Sequence, residues 1–385
     1  MIALLLTLLT VPSTQAGELD ALMLSEHTRR YHMPYGQVAM TLTETPNSSD
    51  EILFYMDVGD TALWTGTYLA AESFRYSVRR DEDSLSAVRN AIAGIRLLVD
   101  APGSGYLARS TWPVDGVDVE NYVKVEGRYG LGRKTLNGTE YYWQAGVTRD
   151  QYGGVFFGLG AAYDYVDDEG VRQEVRDLVT RMTDYLIANG WTTHVPESTR
   201  DIASTTFFHR PEMRLSILQL ARHVNPERFQ KKYDSERFWN GWLSGVPPRT
   251  ETWKIEASYF KFNLDFLFAW NLVRLERDAN TKKSYLDKYR GWQQMVAHHQ
   301  NPHFNMIDRA LRGPDDARDA ETRRLLDDRL AIGFRNRGMD VRGKYPSCGE
   351  NLACDPVPLL ERAIDGFIWQ RSPFGMYYEG DARIE

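Results

Sequence analysis

Residues 152–166, YGGVFFGLGAAYDYV, have the length of a helix and no polar face, with Asp164 as their one charge. A helix that is apolar all round is buried on all sides. Its glycines, Gly153, Gly154, Gly158 and Gly160, lack the Cβ that keeps two helix backbones apart, so they predict close helix packing. The run SYFKFNLDFLFAWNLVRL, residues 258–275, has the same character. The segments that follow each of them differ. VRQEVRDLVTRMTDYLIA and TKKSYLDKYRGWQQMVA keep one wet face. Buried helices alternating with amphipathic ones predict two concentric layers, the arrangement of an all-α toroid.

Helical periodicity extends this pattern along the chain. After a short helix over Leu19–Tyr31, residues 61–79 and 85–99 form a hairpin around the charged turn Arg80-Asp81-Glu82-Asp83. Residues 150–166 pair with 171–189, 211–223 with 226–239, and 257–276 with 282–298. Segments 319–334 and 357–369 complete eleven expected helices. Residues 101–148 interrupt the series with Pro102, Pro113 and many glycines. They read as a long irregular insertion with a small hairpin around Asn121–Tyr142, and an insertion of that length in a compact domain is usually functional.

The 385 residues are 42% apolar and 12% aromatic, enough for one large core. A net charge of −7 argues against a nucleic-acid partner, which needs a basic face. Ten Trp and twenty-one Tyr permit stacking on sugar rings. The first sixteen residues, MIALLLTLLTVPSTQA, have the apolar run and small-residue end of a secretory signal peptide cut after Ala16, although no Lys or Arg precedes the run. The expected organisation is therefore a leader, 1–16, and a single domain, 17–385, secreted or periplasmic. No other stretch is long and apolar enough to span a membrane. In an exported protein Cys348 and Cys354 suggest a disulfide. Asn47 and Asn137 stand in glycosylation sequons.

Several runs together resemble a known group. GDTALWTGTYLAAESFRYSVRRDED (59–83), GSGYLARS (103–110), YYWQAGVTRDQYGGVFFGLGAAYDYV (141–166) and DGFIWQRSPF (365–374) are similar, in this order, to exported bacterial proteins of the six-hairpin glycosidase-like type. The resemblance implies an (α/α)6 toroid and an action on carbohydrate. Related chains carry a Ser-Ser-Asp type run where this one has Thr148-Arg149-Asp150, so the acid matches and the arginine departs.

In a toroid the loops entering the inner helices gather at one end. Three acids occupy such positions: Asp60 before Leu63-Trp64, Asp150, and Glu256 in WKIEASYFKFN. Glycoside cleavage needs one carboxylic acid to protonate the leaving oxygen and a second carboxylate to activate water or attack. Asp150 with Asp60 or Glu256 is the expected catalytic set, and the same aspartates also suit helix caps. Trp64, Arg149, Tyr152, His209, Tyr259, Trp369 and Arg371 are the candidate substrate-binding residues, with the aromatic rings as sugar platforms and the cations as partners for an acidic sugar. The alternatives are a lyase, in which Tyr152, Tyr259 or His209 removes a proton, and a non-catalytic glycan-binding protein. His298 and His299 point about 100° apart on a helix, and Pro302 intervenes before His303, so no metal site is expected. No P-loop, GxGxxG, HExxH or GxSxG run calls for a cofactor or another chemistry.

Overall fold

A computed structural model describes residues 16–45, 51–56, 58–127, 130–196, 203–251 and 259–332, and beyond them 339–340, 356–359, 362, 373 and 377–378. Cys348, Cys354, most of the expected helix over 357–369 and all but the last residue of the expected leader lie outside these residues.

The architecture is mostly helical, with thirteen α-helices and a few short strands among the described residues. Helix α1 (Glu18–His32) carries acids in its first turn and bases in its last, matching the helix dipole. Strands β1 (Met40–Thr43) and β2 (Ile52–Met56) pair antiparallel. The first helical hairpin is α2 (Thr61–Arg79) and α3 (Glu82–Asp100). Arg80 turns left-handed at its bend, and Asp81 caps α3 by accepting the Ser84 N–H at 3.0 Å.

The segment read as irregular is ordered. Strand β3 (Thr111–Pro113), helix α4 (Val119–Glu126), and strands β4 (Leu131–Leu136) and β5 (Thr139–Gln144) build a three-stranded antiparallel sheet in the order β3-β5-β4 with a helix beside it. The hairpin β4–β5 turns on Asn137-Gly138, both at positive φ, a two-residue turn that suits the strand twist. Asn121, expected in the hairpin, sits on α4 instead. Ala39, Val58, Trp112 and Tyr122 form a small core here, separate from the main one.

The remaining pairs follow in order. They are α5 (Arg149–Tyr165) with α6 (Glu169–Ala188), α7 (Pro211–Val224) with α8 (Pro226–Asn240), and, after the short α9 (Val246–Glu251), α10 (Phe260–Arg274) with α11 (Ala279–Gln293). Strands β6 (Thr192–His194) and β7 (Ala203–Thr206) lie between α6 and α7. Helices α12 (Pro302–Arg312) and α13 (Asp316–Ile332) form the fifth pair, and β8 (Met339–Asp340) pairs with β9 (Tyr377–Tyr378). Helix α12 is not among the helices that the periodicity predicts. Pro302 reads as a breaker, but it occupies the first helical position, where its missing N–H costs nothing, and Asn301 caps the helix by accepting from His303 and Phe304.

Helix α5 lies at the centre of the main core, buried from Gln151 to Ala162. Its contact with α2 is backbone on backbone. A Cβ on Gly66 would stand 2.2 Å from the Gly154 carbonyl oxygen, and one on Gly158 would stand 2.1 Å from that of Gly66. On its other side α5 meets α10, where Asn271 donates to the Phe156 carbonyl at 2.9 Å. The amphipathic partner α6 buries Val171, Val175, Leu178, Met182 and Leu186, the stripe its periodicity predicts.

Candidate functional site

The glycine contacts set α2 and α5 parallel, Leu63 against Gly154 and Gly66 against Gly158, so both helices begin at the same end. Asp60 and Asp150 stand at these two starts. Asp60 precedes α2, yet its side chain caps none of that helix's N–H groups. Arg109 does this with its backbone, accepting the Ala62 N–H at 3.0 Å. The Asp60 carboxylate is therefore available elsewhere. Its Oδ1 accepts from Arg109 Nη2 at 3.2 Å and from Gln151 Nε2 at 2.9 Å.

Arg109 is itself fixed by Nε donating to the Gly59 carbonyl at 2.7 Å and Nη1 donating to that of Gly146 at 3.1 Å. Its side chain is 13% exposed, against 35% for Asp60. The guanidinium thus holds the carboxylate from the protein side and leaves part of it open to solvent.

Asp150, half-buried in the first turn of α5, accepts at Oδ1 from the Thr148 hydroxyl and from the Gln151 N–H, the latter at 3.1 Å. The Gln151 side-chain oxygen in turn accepts from Thr148 N at 2.6 Å and Thr148 Oγ1 at 2.7 Å. The side-chain amide of Gln151 thus touches Asp60 while its backbone N–H touches Asp150. One wholly buried residue ties together two acids ninety positions apart in sequence. Their surroundings differ: a guanidinium and an amide face Asp60, a hydroxyl and a helix N–H face Asp150.

The other candidates fall in several places. Arg149 is half-buried in the first turn of α5, and Trp64 is half-buried on α2 against the main core. Tyr152 is wholly buried, edge-on to Phe207 at 5.5 Å, and burial pushes its phenol well above the usual range, so it stays protonated within the core. Tyr259 is likewise buried, stacked on His299 at 5.7 Å, with its phenol raised by burial. His209 is exposed in the turn before α7, its ring against Phe208 at 5.0 Å. Glu256, Trp369 and Arg371 lie outside the described residues.

Arg210, the neighbour of exposed His209, is buried. It donates from Nε to Glu212 Oε1 at 2.5 Å and from Nη2 to Asp265 Oδ1 at 2.7 Å. Two buried carboxylates need a cation, and Arg210 provides it.

Three residues of the site escape the sequence reading. Thr148 and Gln151 carry a visible signal, because Thr148-Arg149-Asp150-Gln151 has the Thr-x-x-Gln spacing of a capping box. Arg109 lies within GSGYLARS, whose position in the interrupting segment marks it as functional without picking out the arginine. No family model, curated protein or solved structure matches this chain.

Proposed function

We propose that this protein is an exported carbohydrate-active enzyme, a glycoside hydrolase acting on an oligosaccharide or acidic polysaccharide, with Asp60 and Asp150 as its paired carboxylates. One observation carries the proposal: the two acids meet through Gln151 at the common start of two parallel, buried helices, and Arg109 holds one of them. The pair's unlike surroundings suit a division into proton donor and base or nucleophile. The five helical pairs among the described residues, with α2, α5, α7, α10 and α12 read as inner helices, would be five of the six hairpins of an (α/α)6 toroid. The apolar leader is consistent with export. Arg149, in the first turn of α5, is the proposed cation for the substrate, and Trp64, in the first turn of α2, the proposed aromatic. A lyase gains less support, since the phenols of Tyr152 and Tyr259 are buried and protonated.

The test is a panel of neutral and uronate-containing glycans, with new reducing ends and unsaturated-uronide absorbance read together for the native protein, Asp60→Asn and Asp150→Asn. New reducing ends without absorbance, lost in both variants, are expected. Cleavage that survives both substitutions in folded protein overturns the assignment.

A further inference from the structure

The last turn of α8 and the tight turn after it, residues 241–243, carry three large exposed aromatic side chains. Phe238 is 75% exposed, Trp239 68% and Trp242 71%. Exposed apolar groups gathered in one place mark a binding surface. The turn beneath them is held firmly. Lys288 donates to the Gly241 carbonyl at 2.6 Å and to Ser244 Oγ at 3.2 Å, and Ser244 Oγ donates to the Gly241 carbonyl at 2.7 Å. Trp242 Nε1 donates to the Trp239 carbonyl at 3.1 Å, which fixes the edge of its indole.

Trp242 forms one wall of an open cleft of about 650 Å³. The opposite wall is α11, which presents Asn280, Ser284 and Asp287. Of the charges in this cleft, Lys283 reaches Asp287 at 2.9 Å, and Lys288 is turned away toward the Gly241 carbonyl and Ser244 Oγ. The cleft therefore offers a flat apolar face, an amide and a hydroxyl, with one lysine unmatched by a carboxylate in its lining. A pyranose ring divides in the same way, into an apolar C–H face and a rim of hydroxyl groups. Indole faces stack on the first, and Asn and Ser side chains hydrogen-bond the second. A single-stranded nucleic acid would need the stacking surface set in a basic groove, which is missing here. A lipid surface would make no use of Asn280 and Ser284.

We infer that Trp242 and Trp239, with Asn280 and Ser284, form a second glycan-binding surface for a neutral sugar chain. It sits on α8 and α11, which carry no part of the carboxylate site. The inference stands on this patch alone and does not depend on hydrolysis at Asp60 and Asp150.

The experiment is affinity electrophoresis of the full chain through gels containing soluble neutral polysaccharides: a β-glucan, a xylan, a mannan and an α-glucan. The proteins compared are native, Trp242→Ala, Trp239→Ala, Asp150→Asn, and Phe208→Ala as an exposed-aromatic control, each checked for native circular dichroism. The native protein is expected to be retarded by at least one polysaccharide. Trp242→Ala is expected to weaken the apparent affinity at least tenfold, while Asp150→Asn and Phe208→Ala leave it unchanged. Because binding is read without turnover, an inactive protein that is still retarded through Trp242 supports this surface and counts against the proposed function alone. No retardation on the whole panel overturns the inference, as does retardation that Trp242→Ala leaves intact or that Asp150→Asn abolishes. Sedimentation with phosphatidylcholine vesicles, or concentration-dependent dimerisation, also overturns it if Trp242→Ala removes either, since the patch is then a lipid or self-association surface.

Discussion

Arg109 closes the start of α2 with its carbonyl and holds Asp60 with its guanidinium, so one residue links helix initiation to the acid pair. Three separate directions of its fork are used, toward Gly59, Gly146 and Asp60. Lysine keeps the charge but cannot supply that geometry. Arg109→Lys is expected to lower kcat by about 100-fold, the scale of a displaced catalytic group. Lost hydrogen bonds should cost about 1–3 kcal/mol of stability. A folded Arg109→Lys protein with native kcat would remove the residue from the site. His299 gives a pH-dependent case. Burial, reinforced by His298 and Arg362 nearby, lowers its pKa from 6.5 to about 3. Below pH 6.5 the unfolded chain takes up a proton that the folded imidazole refuses, so stability falls as the pH drops from 6.5 toward 3. The slope from this one group approaches about 1.4 kcal/mol per pH unit. Above 6.5 the group contributes no slope. Urea titrations from pH 4 to 8 should show a shallower acid decline in His299→Gln than in the native protein, and parallel curves would refute the assignment.

The element contact that matters most is α2 against α5. Gly154 faces the Leu63 carbonyl oxygen, and an added Cβ would stand 2.3 Å away from it. The obstacle is backbone on both sides, so neither helix relieves it by a rotamer change. Gly154→Ala is expected to destabilise by about 1–3 kcal/mol or more and to part the two helix starts, lowering activity as well. Gly127 is the control, since the nearest atom to its added Cβ is Leu131 Cδ1 at 3.9 Å, and Gly127→Ala should leave the melting temperature nearly unchanged. Equal melting temperatures for the two variants would sink the claim that close packing sets this geometry. The burial and glycine content of α5 were legible because helical period and residue size are local properties of a sequence. The short strands β1–β3 were not, because three to five residues give too little alternation to separate from loop, whereas a hairpin was expected in the region that holds β4 and β5. Asp60 and Asp150 could be named as a candidate pair from the sequence, but not the residue that joins them. Their link runs through Gln151, whose capping spacing is local but whose reach to Asp60 depends on the packing of two helices.

Across the whole molecule, charge is handled differently inside and outside. Near the surface, α3 and α6 are joined by half-buried, partly solvated pairs such as Arg181 with Asp100 at 2.7 Å, each worth little and screened by salt. Inside, Arg210 at the start of α7 grips Asp265 on α10 and Glu212 on its own helix, and Ser216 adds a bond to the Phe268 carbonyl at 2.6 Å. This is where two of the buried helices are tied together by charge. Arg210→Met keeps most of the volume but strands two carboxylates in the core, which should cost about 3–5 kcal/mol at neutral pH. The loss should itself depend on pH. Burial raises a carboxyl's pKa, so in the variant the native state binds protons that the unfolded chain has already released near neutrality. Stability of the variant then falls as pH rises, and its deficit against the native protein is smaller at pH 4.5 than at pH 7.5. Chemical denaturation at the two pH values measures both gaps. Equal gaps would mean that Glu212 and Asp265 find other partners and that the tie between α7 and α10 is a matter of packing rather than charge.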